Sequence, residues 1–276
     1  MTITIGADPE FFLGRGTDLR SSIDLVGGSK AIPKPLGRDG FFVQEDNVAV
    51  EFNIPPAETL EQFVESIEWS LKTISNQVKP MGLTPLYLAS ALFPPNELRD
   101  ARAQMFGCDP DYNAWTSVDE DNPRINPRPQ AAHKRLRSCG GHVHVGYPQS
   151  SGINRLRLIR LMDLYLGVPA VFMDSDVSRR ELYGKPGAFR PTDYGVEYRV
   201  LSNFWLKSVD YMKWVYEQTM RAVLLAQAFG PHAEGTNTFT DFMETFDLCD
   251  DIQTCINKGD TNLAHILITK HHLVTV

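Results

Sequence analysis

Apolar residues recur at the spacing of one helix face through Leu60, Phe63, Val64, Ile67, Leu71, Ile74 and Val78. Thr59 followed by Gln62 forms a capping box ahead of them, so the pattern predicts an amphipathic helix from Thr59 to Val78. The same period predicts helices from about Asn154 to Met173 and from about Val209 to Phe229. Ile252, Ile256, Leu263, Ile266 and Leu267 point to one or two short closing helices. Elsewhere the apolar positions alternate or run briefly, as strands do: Thr2 to Leu13, Leu86 to Phe93, Ser138 to Tyr147 and Gly195 to Asn203. Phe41–Gln44 and Val48–Ile54 flank Glu45-Asp46-Asn47 as the arms of a hairpin. Residues 14–40 are rich in glycine and read as a long functional loop. Strands and helices do not alternate regularly, which favours an α+β fold with an antiparallel sheet over a doubly wound parallel one. No repeat or linker-like run interrupts the chain, so one domain over residues 1–276 is expected, with residues 230–276 as a helical closure.

Composition narrows the classes of function. With 42% hydrophobic and 22% charged residues the chain is globular. A net charge of −7 argues against a general nucleic-acid binder, which needs a basic excess to neutralise phosphates. It leaves room for an anionic small molecule held in a local basic pocket. No apolar run reaches the length of about 18 residues that a membrane span needs. Asp8 and Glu10 arrive before any signal-like stretch develops, and Cys108, Cys139, Cys249 and Cys255 show neither CxxC pairs nor the density of a disulfide framework. These features lead us to expect a soluble cytoplasmic protein with reduced thiols.

The chemistry lies in four strand candidates that each carry polar residues two apart: Asp8-Pro9-Glu10, Glu51-Phe52-Asn53, His142-Val143-His144 and Glu197-Tyr198-Arg199. On a strand, residues i and i+2 share a face, so each pair projects to one side while Phe52, Val143 and Tyr198 pack on the other. If those faces coincide, carboxylates, imidazoles and an arginine crowd one concave surface. Such a surface needs cations, because partly buried like charges raise one another's pKa values. Oxygen-rich sites with an occasional imidazole suit Mg²⁺ or Mn²⁺. The cysteine spacing of a structural zinc site is absent.

Arg179, Arg180, Lys185, Arg190 and Arg199 fall in one basic stretch; Arg124, Arg128, Lys134, Arg135 and Arg137 precede the histidine strand. Guanidinium groups bind phosphate or carboxylate bidentately, which makes both stretches candidate clamps. Taken singly, each feature has a plainer reading: Glu197 and Arg199 as a surface ion pair, the basic runs as solvated faces. The repetition on four strands outweighs those readings.

With these residues in view, the sequence resembles the carboxylate–amine ligases of the glutamine synthetase and glutamate–cysteine ligase superfamily, and within it the phage-type COOH–NH2 ligases. The resemblance rests on Gly6-Ala7-Asp8-Pro9-Glu10-Phe11-Phe12, Gln44-Glu45-Asp46 through Val50-Glu51-Phe52-Asn53, and Phe106 through Trp115. It continues through Gly140-Gly141-His142-Val143-His144-Val145, Arg179-Arg180 to Arg190, and Gly195-Val196-Glu197-Tyr198-Arg199. It implies a curved antiparallel sheet forming a funnel flanked by helices, with ATP at one end and substrate at the other. It implies divalent ions held by Asp8, Glu10, Glu51, His142 and Glu197. It implies phosphate or acyl-phosphate binding by Arg199, Arg180 and Arg190, and nucleotide contacts from His144 and Lys185. A further carboxylate from the hairpin is open between Glu45 and Asp46, and Asp109 and Asp111 match the branch without an assigned role.

The function so implied is ATP- and Mg²⁺-dependent (or Mn²⁺-dependent) joining of a small carboxylate to an amine through an acyl phosphate. A guanidino-kinase-like phosphotransferase, a non-catalytic phage binding protein that keeps the fold, and a metal-dependent hydrolase are the alternatives. The acid and amine partners and the oligomeric state are not written in the motifs.

Overall fold

Pro9 interrupts the first expected strand, and the two halves enter different sheets. The protein, described by a computed structural model for residues 2–104, 111–127, 133–230 and 248–276, runs β1 over Thr4–Ala7 and β2 over Glu10–Arg15. Proline has no N–H to give a ladder, and the break leaves Asp8 at the seam between the sheets. Within residues 14–40 lie β3 (Asp18–Arg20) and β4 (Lys34–Pro35), both short. The hairpin forms as expected from β5 (Phe42–Asp46) and β6 (Ala49–Asn53), with its turn at Asn47, where φ is 55°. Asparagine tolerates that left-handed conformation better than most side chains.

The strand expected over Leu86–Phe93 is two strands, β7 (Thr84–Leu86) and β8 (Ser90–Leu92), separated by a tight turn in which the Leu88 N–H donates to the Leu86 carbonyl. Beyond β9 (Tyr112–Asn113), Ser138–Tyr147 likewise divides, into β10 (Leu136–Ser138) and β11 (Val143–Gly146). Gly140-Gly141 lies between the last two. A Cβ at Gly141 would collide with the Ser202 carbonyl and the Trp205 indole, and one at Gly140 with the His142 ring. Close approach of backbone to side chain, rather than an unusual φ, demands glycine here. β12 (Ala188–Thr192) and β13 (Gly195–Tyr198) form a second hairpin. The strand expected to reach Asn203 stops at Tyr198, and Asn203–Lys207 forms a 3-10 turn.

One sheet has the order β1-β11-β13-β12-β9, the other β3-β2-β6-β5-β4 with β7 also on β2, and β8 pairs with β10. The pairs are antiparallel. The Phe52 N–H donates to Pro9 O (3.3 Å) and the Ile54 N–H to Ala7 O (3.2 Å), so β6 runs on past the break and joins the two sheets into one curled surface. This is the α+β architecture with a curved antiparallel sheet that the element order and the resemblance predict.

Helices cover the outer face. α1 (Leu60–Val78) starts at Thr59, whose hydroxyl accepts from the Gln62 N–H at 3.2 Å, while Gln62 Oε1 accepts from the Glu58 N–H. The reciprocal bond thus falls one residue earlier than in the standard box, and the cap contributes about 1 kcal/mol. α2 (Ala101–Gln104) is a single turn. The helix expected over Asn154–Met173 is α3 (Arg155–Met162), a wider π-helical turn over Asp163–Gly167, and α4 (Val168–Met173). α5 (Ser178–Leu182), α6 (Val209–Phe229), α7 (Leu248–Lys258) and α8 (Thr261–His271) complete the described helices. Of these, α6 matches its expected bounds. No helix of the described residues is long and apolar enough to cross a membrane. Cys139, Cys249 and Cys255 form no disulfide among the described residues, and Cys108 lies outside them.

The main core joins Phe11, Phe52, Val143, Val145, Val196 and Tyr198 from the sheets to Phe63, Ile67, Trp205 and Val215. Phe52, Val143 and Tyr198, the middle residues of three of the polar pairs, are fully buried there. Their burial fixes the register: a slip by one residue would turn each polar pair into the core.

Candidate active site

With those middle residues buried, the alternating positions open onto a common cavity of about 340 Å³. Asp8, Glu10, Glu51, Asn53, His142 and Arg199 line it, so each of the four pairs contributes at least one wall residue. Lys30 and Pro33 enter from the glycine-rich segment, Phe42, Gln44 and Asp46 from β5, and Arg190 from β12. Pockets of this size, with a few convergent polar groups, are the usual form of small-molecule sites.

The carboxylates fall into two groups, each offering donor atoms within 4.8 Å of one another. In the first, Asp8, His144 and Glu197 come together. Asp8 Oδ1 is 2.9 Å from His144 Nε2 and 3.4 Å from His142 Nδ1. His142 Nδ1 is also 3.4 Å from Glu197 Oε1. Glu197 pairs with Arg199 through Oε1 and with Arg190 through Oε2, the latter at 3.0 Å. Burial by itself would raise the Asp8 carboxyl, but the charges and hydrogen bonds of His144 and His142 outweigh it and hold Asp8 well below the usual carboxylate range. Burial disfavours the His144 imidazolium, yet Asp8 and then Glu197 raise its pKa overall. The Tyr194 hydroxyl is hydrogen-bonded to His144 Nδ1, which fixes the ring with Nε2 toward Asp8.

The second group is Glu10, Asp46 and Glu51. Glu10 and Glu51 stand directly opposite each other on β2 and β6. Burial, then Asp8, Glu10 and Asp46, push the Glu51 carboxyl well above the usual range, against a hydrogen bond from Gln44. Burial raises Glu10 too, partly offset by His142. Glu10 is aimed by the glycine turn: its Oε2 accepts from the Gly140 N–H at 2.7 Å, and its own N–H donates to Gly140 O at 2.9 Å.

The hairpin alternation separates Glu45 from Asp46. Gln44 and Asp46 face the cavity, while Glu45 Oε1 accepts from the Gly27 N–H at 2.9 Å on the other side. The period of two in β5 already carried this distinction. Asp111 acquires a position too, with Oδ1 2.6 Å from Arg199 Nε. Asp109 lies outside the described residues, as does Arg128.

Arg190 keeps buried Nε and Nη2 atoms with no hydrogen-bond partner, beside its one bond to Glu197, which leaves donors for an anion. Arg180 and Lys185 are not among the residues lining this cavity. Arg180 lies instead at a small cleft with Asp174, Asp176 and Arg179. Other members of the basic runs support backbone. Arg179 is buried and donates to the carbonyls of Cys139 (3.0 Å) and Val200 (2.8 Å), and Arg137 donates to those of Ala103, Lys134 and Leu136. The sequence reading did not single out Lys30, Phe42 or Tyr194. Tyr194 sits in the β12–β13 turn, where no periodicity assigns a face.

Residues 120–227 match the family model described as phage phiEco32-like COOH.NH2 ligase-type 2, so the resemblance read from the motifs is borne out over that segment. The match supports a carboxylate–amine ligase in general. No curated protein matches the sequence. A solved structure described as a novel glutamine synthase homolog aligns with 98% of this chain and 66% of its own, at 13% identity and a TM-score of 0.39.

Proposed function

We propose that the protein is an ATP- and Mg²⁺-dependent (or Mn²⁺-dependent) carboxylate–amine ligase that works through an acyl phosphate. The observation that carries this reading is the convergence of Asp8, Glu10, Asp46 and Glu51 with His142 and two arginines on one cavity. The donor set fits divalent ions of the Mg²⁺ class: Glu10, Asp46 and Glu51 supply oxygens alone, and Asp8 and Glu197 add oxygens beside one imidazole. Burial first, and then Asp8, Glu10 and Asp46, raise the Glu51 carboxyl, and a divalent ion beside it would offset these effects. Bound there, the ions would neutralise charge on the nucleotide phosphates.

The reading assigns the following work to the chain. Arg190 and Arg199 bind the transferred phosphoryl group and the charge that spreads over it. A substrate carboxylate oxygen attacks the γ-phosphorus and ADP departs. An amine then attacks the acyl carbon, phosphate leaves, the amine loses a proton, and an amide remains. Glu197 and Asp111 hold the two guanidinium groups in place, and Lys30 and Pro33 bring the glycine-rich segment over the cavity, where it excludes water from the acyl phosphate. His144 serves either the ions or the nucleotide. The single domain over residues 1–276, with its last two helices as a closure, belongs to the same proposal.

The test is ADP release and product mass with Mg²⁺ and a mixed pool of amino acids and amines. Amide products that disappear in Glu51→Gln and Glu197→Gln are expected. ADP release with a stable phosphorylated acceptor, or no nucleotide turnover with any pool, would refute ligation.

A further inference from the structure

Asp163 opens the π-helical turn and has no exposed surface. Its Oδ2 accepts from Trp115 Nε1 and from the Gly187 N–H, both at 2.6 Å, and its Oδ1 accepts from the Tyr198 hydroxyl at 2.8 Å. No ion pair to it is found among the described residues; three neutral donors satisfy it. A buried carboxylate without a counter-ion opposes folding unless its hydrogen bonds are complete, so what the three donors belong to is informative.

Each donor sits one step from the cavity. Tyr198 ends β13 between Glu197 and Arg199 and points to the opposite face. Gly187 leads into β12, which carries Arg190 and whose Ala188 carbonyl accepts the Arg199 N–H at 3.0 Å. Trp115 closes the segment that begins at Asp111, the partner of Arg199. The Ala114 N–H donates to Gly187 O at 2.9 Å, so two of the three segments also meet directly. Gly187 has φ 74°, and a Cβ there would press on Trp115. Asp163 is the first residue of the π turn, a rare distortion that recurs at functional sites.

We infer that Asp163 is a positioning residue: from the reverse face of the sheet it locks β13, the entry to β12 and the 111–115 segment together, so that Glu197 and Asp111 meet the two arginines, Arg190 and Arg199, that line the cavity. What those four groups then do rests on the ligase reading, but their arrangement does not.

The test follows the Arg190 and Arg199 Nε–H and the Trp115 indole N–H resonances in ¹⁵N-labelled protein. They are compared in wild type, Asp163→Asn and Tyr198→Phe, with Mn²⁺ affinity measured by calorimetry. An amide has one acceptor oxygen, so its NH2 group faces either the Tyr198 hydroxyl, whose bond then reverses direction, or the Trp115 and Gly187 N–H groups, whose bonds are lost, and in both cases the negative charge is gone. Expected for Asp163→Asn is a folded protein in which all three resonances move and Mn²⁺ binds roughly tenfold more weakly, the scale of lost outer-sphere support. Tyr198→Phe moves the arginine resonances less. Arginine resonances left at their wild-type positions in a folded variant overturn the inference even if the melting temperature falls, because Asp163 is then core support alone. If Asp163→Asn fails to fold, Tyr198→Phe decides by the same resonances. A wild-type protein that binds no Mn²⁺ defeats the ligase reading, while the arginine resonances still decide the positioning.

Discussion

Two groups of acids meet at the cavity, which Asp8 lines from one and Glu10, Asp46 and Glu51 from the other, and they differ in what balances them. Around Asp8 and Glu197 the chain supplies its own positive partners: two imidazoles within 3.4 Å of Asp8, and two guanidinium groups on Glu197. Asp8 is accordingly held below the usual carboxylate range. Around Glu51 the neighbours are other carboxylates and the Gln44 amide, and burial with those acids pushes it well above that range, while Glu10 beside it has His142 and the Gly140 N–H as partial offsets. Residue type is the same in both; the neighbours reverse the sign of the effect. On the proposed function, the first group has its positive partners in the folded chain and a cation would complete the second.

The sharpest way to break that contrast is to remove one acid from each group in metal-free protein. Glu197→Ala removes the carboxylate that pairs with Arg190 and one of the two that pair with Arg199, which keeps Asp111, and is expected to cost about 3 kcal/mol in chemical denaturation. Mg²⁺ at about a hundred times its dissociation constant should stabilise wild type by about 2.7 kcal/mol, and Glu51→Gln should lose most of that gain; equal gains in both would separate the acid group from the ion. Without metal, Glu51→Gln should be stabilising, by roughly 0.2–1 kcal/mol, because it removes a like charge directly across from Glu10. A destabilised Glu51→Gln would show that the second group is balanced after all.

The same contrast predicts a pH profile. Asp8 has a lowered pKa, so the stability it contributes is present above its ordinary value of 3.8 and is lost as pH falls below that. Glu10 and Glu51 have raised values, so theirs is present below the ordinary 4.5 and is lost as pH rises. Asp163, pushed by burial up to about 7 from 3.8, acts in the same direction between those values. Calorimetric melting of metal-free protein should therefore fall from mildly acid toward neutral pH, and Mg²⁺ should flatten the decline. The smallest expected effect is at Tyr194, whose hydroxyl orients His144 from a half-exposed position. Tyr194→Phe should reduce Mn²⁺ affinity only a few-fold, and an unchanged affinity would remove His144 from the ion site.

Local pattern made much of this site legible. Asp8 with Glu10, Glu51 with Asn53, His142 with His144 and Glu197 with Arg199 could be read as inward pairs because a strand alternates faces regardless of its surroundings. The same rule separates Asp46 from Glu45. Arginines resisted this reading. Arg137 and Arg179 sit in basic runs that resemble phosphate clamps, yet they donate to backbone carbonyls, whereas Arg190 reaches the cavity. A long side chain reports its partner only after distant segments have met.

The chain's own order of residues determined the α1 and α6 helices, the 42–53 hairpin and the identity of the acids and imidazoles available to the cavity, because each depends on periods of a few residues. Tertiary structure decided the rest: that the first strand splits at Pro9 to put Asp8 between two sheets, which carboxylates acquire cationic neighbours, and that Asp163 supports the site from behind. Charge balance and burial are sums over segments tens to more than a hundred residues apart in the chain, as with Glu10 and Gly140, and no local window contains them.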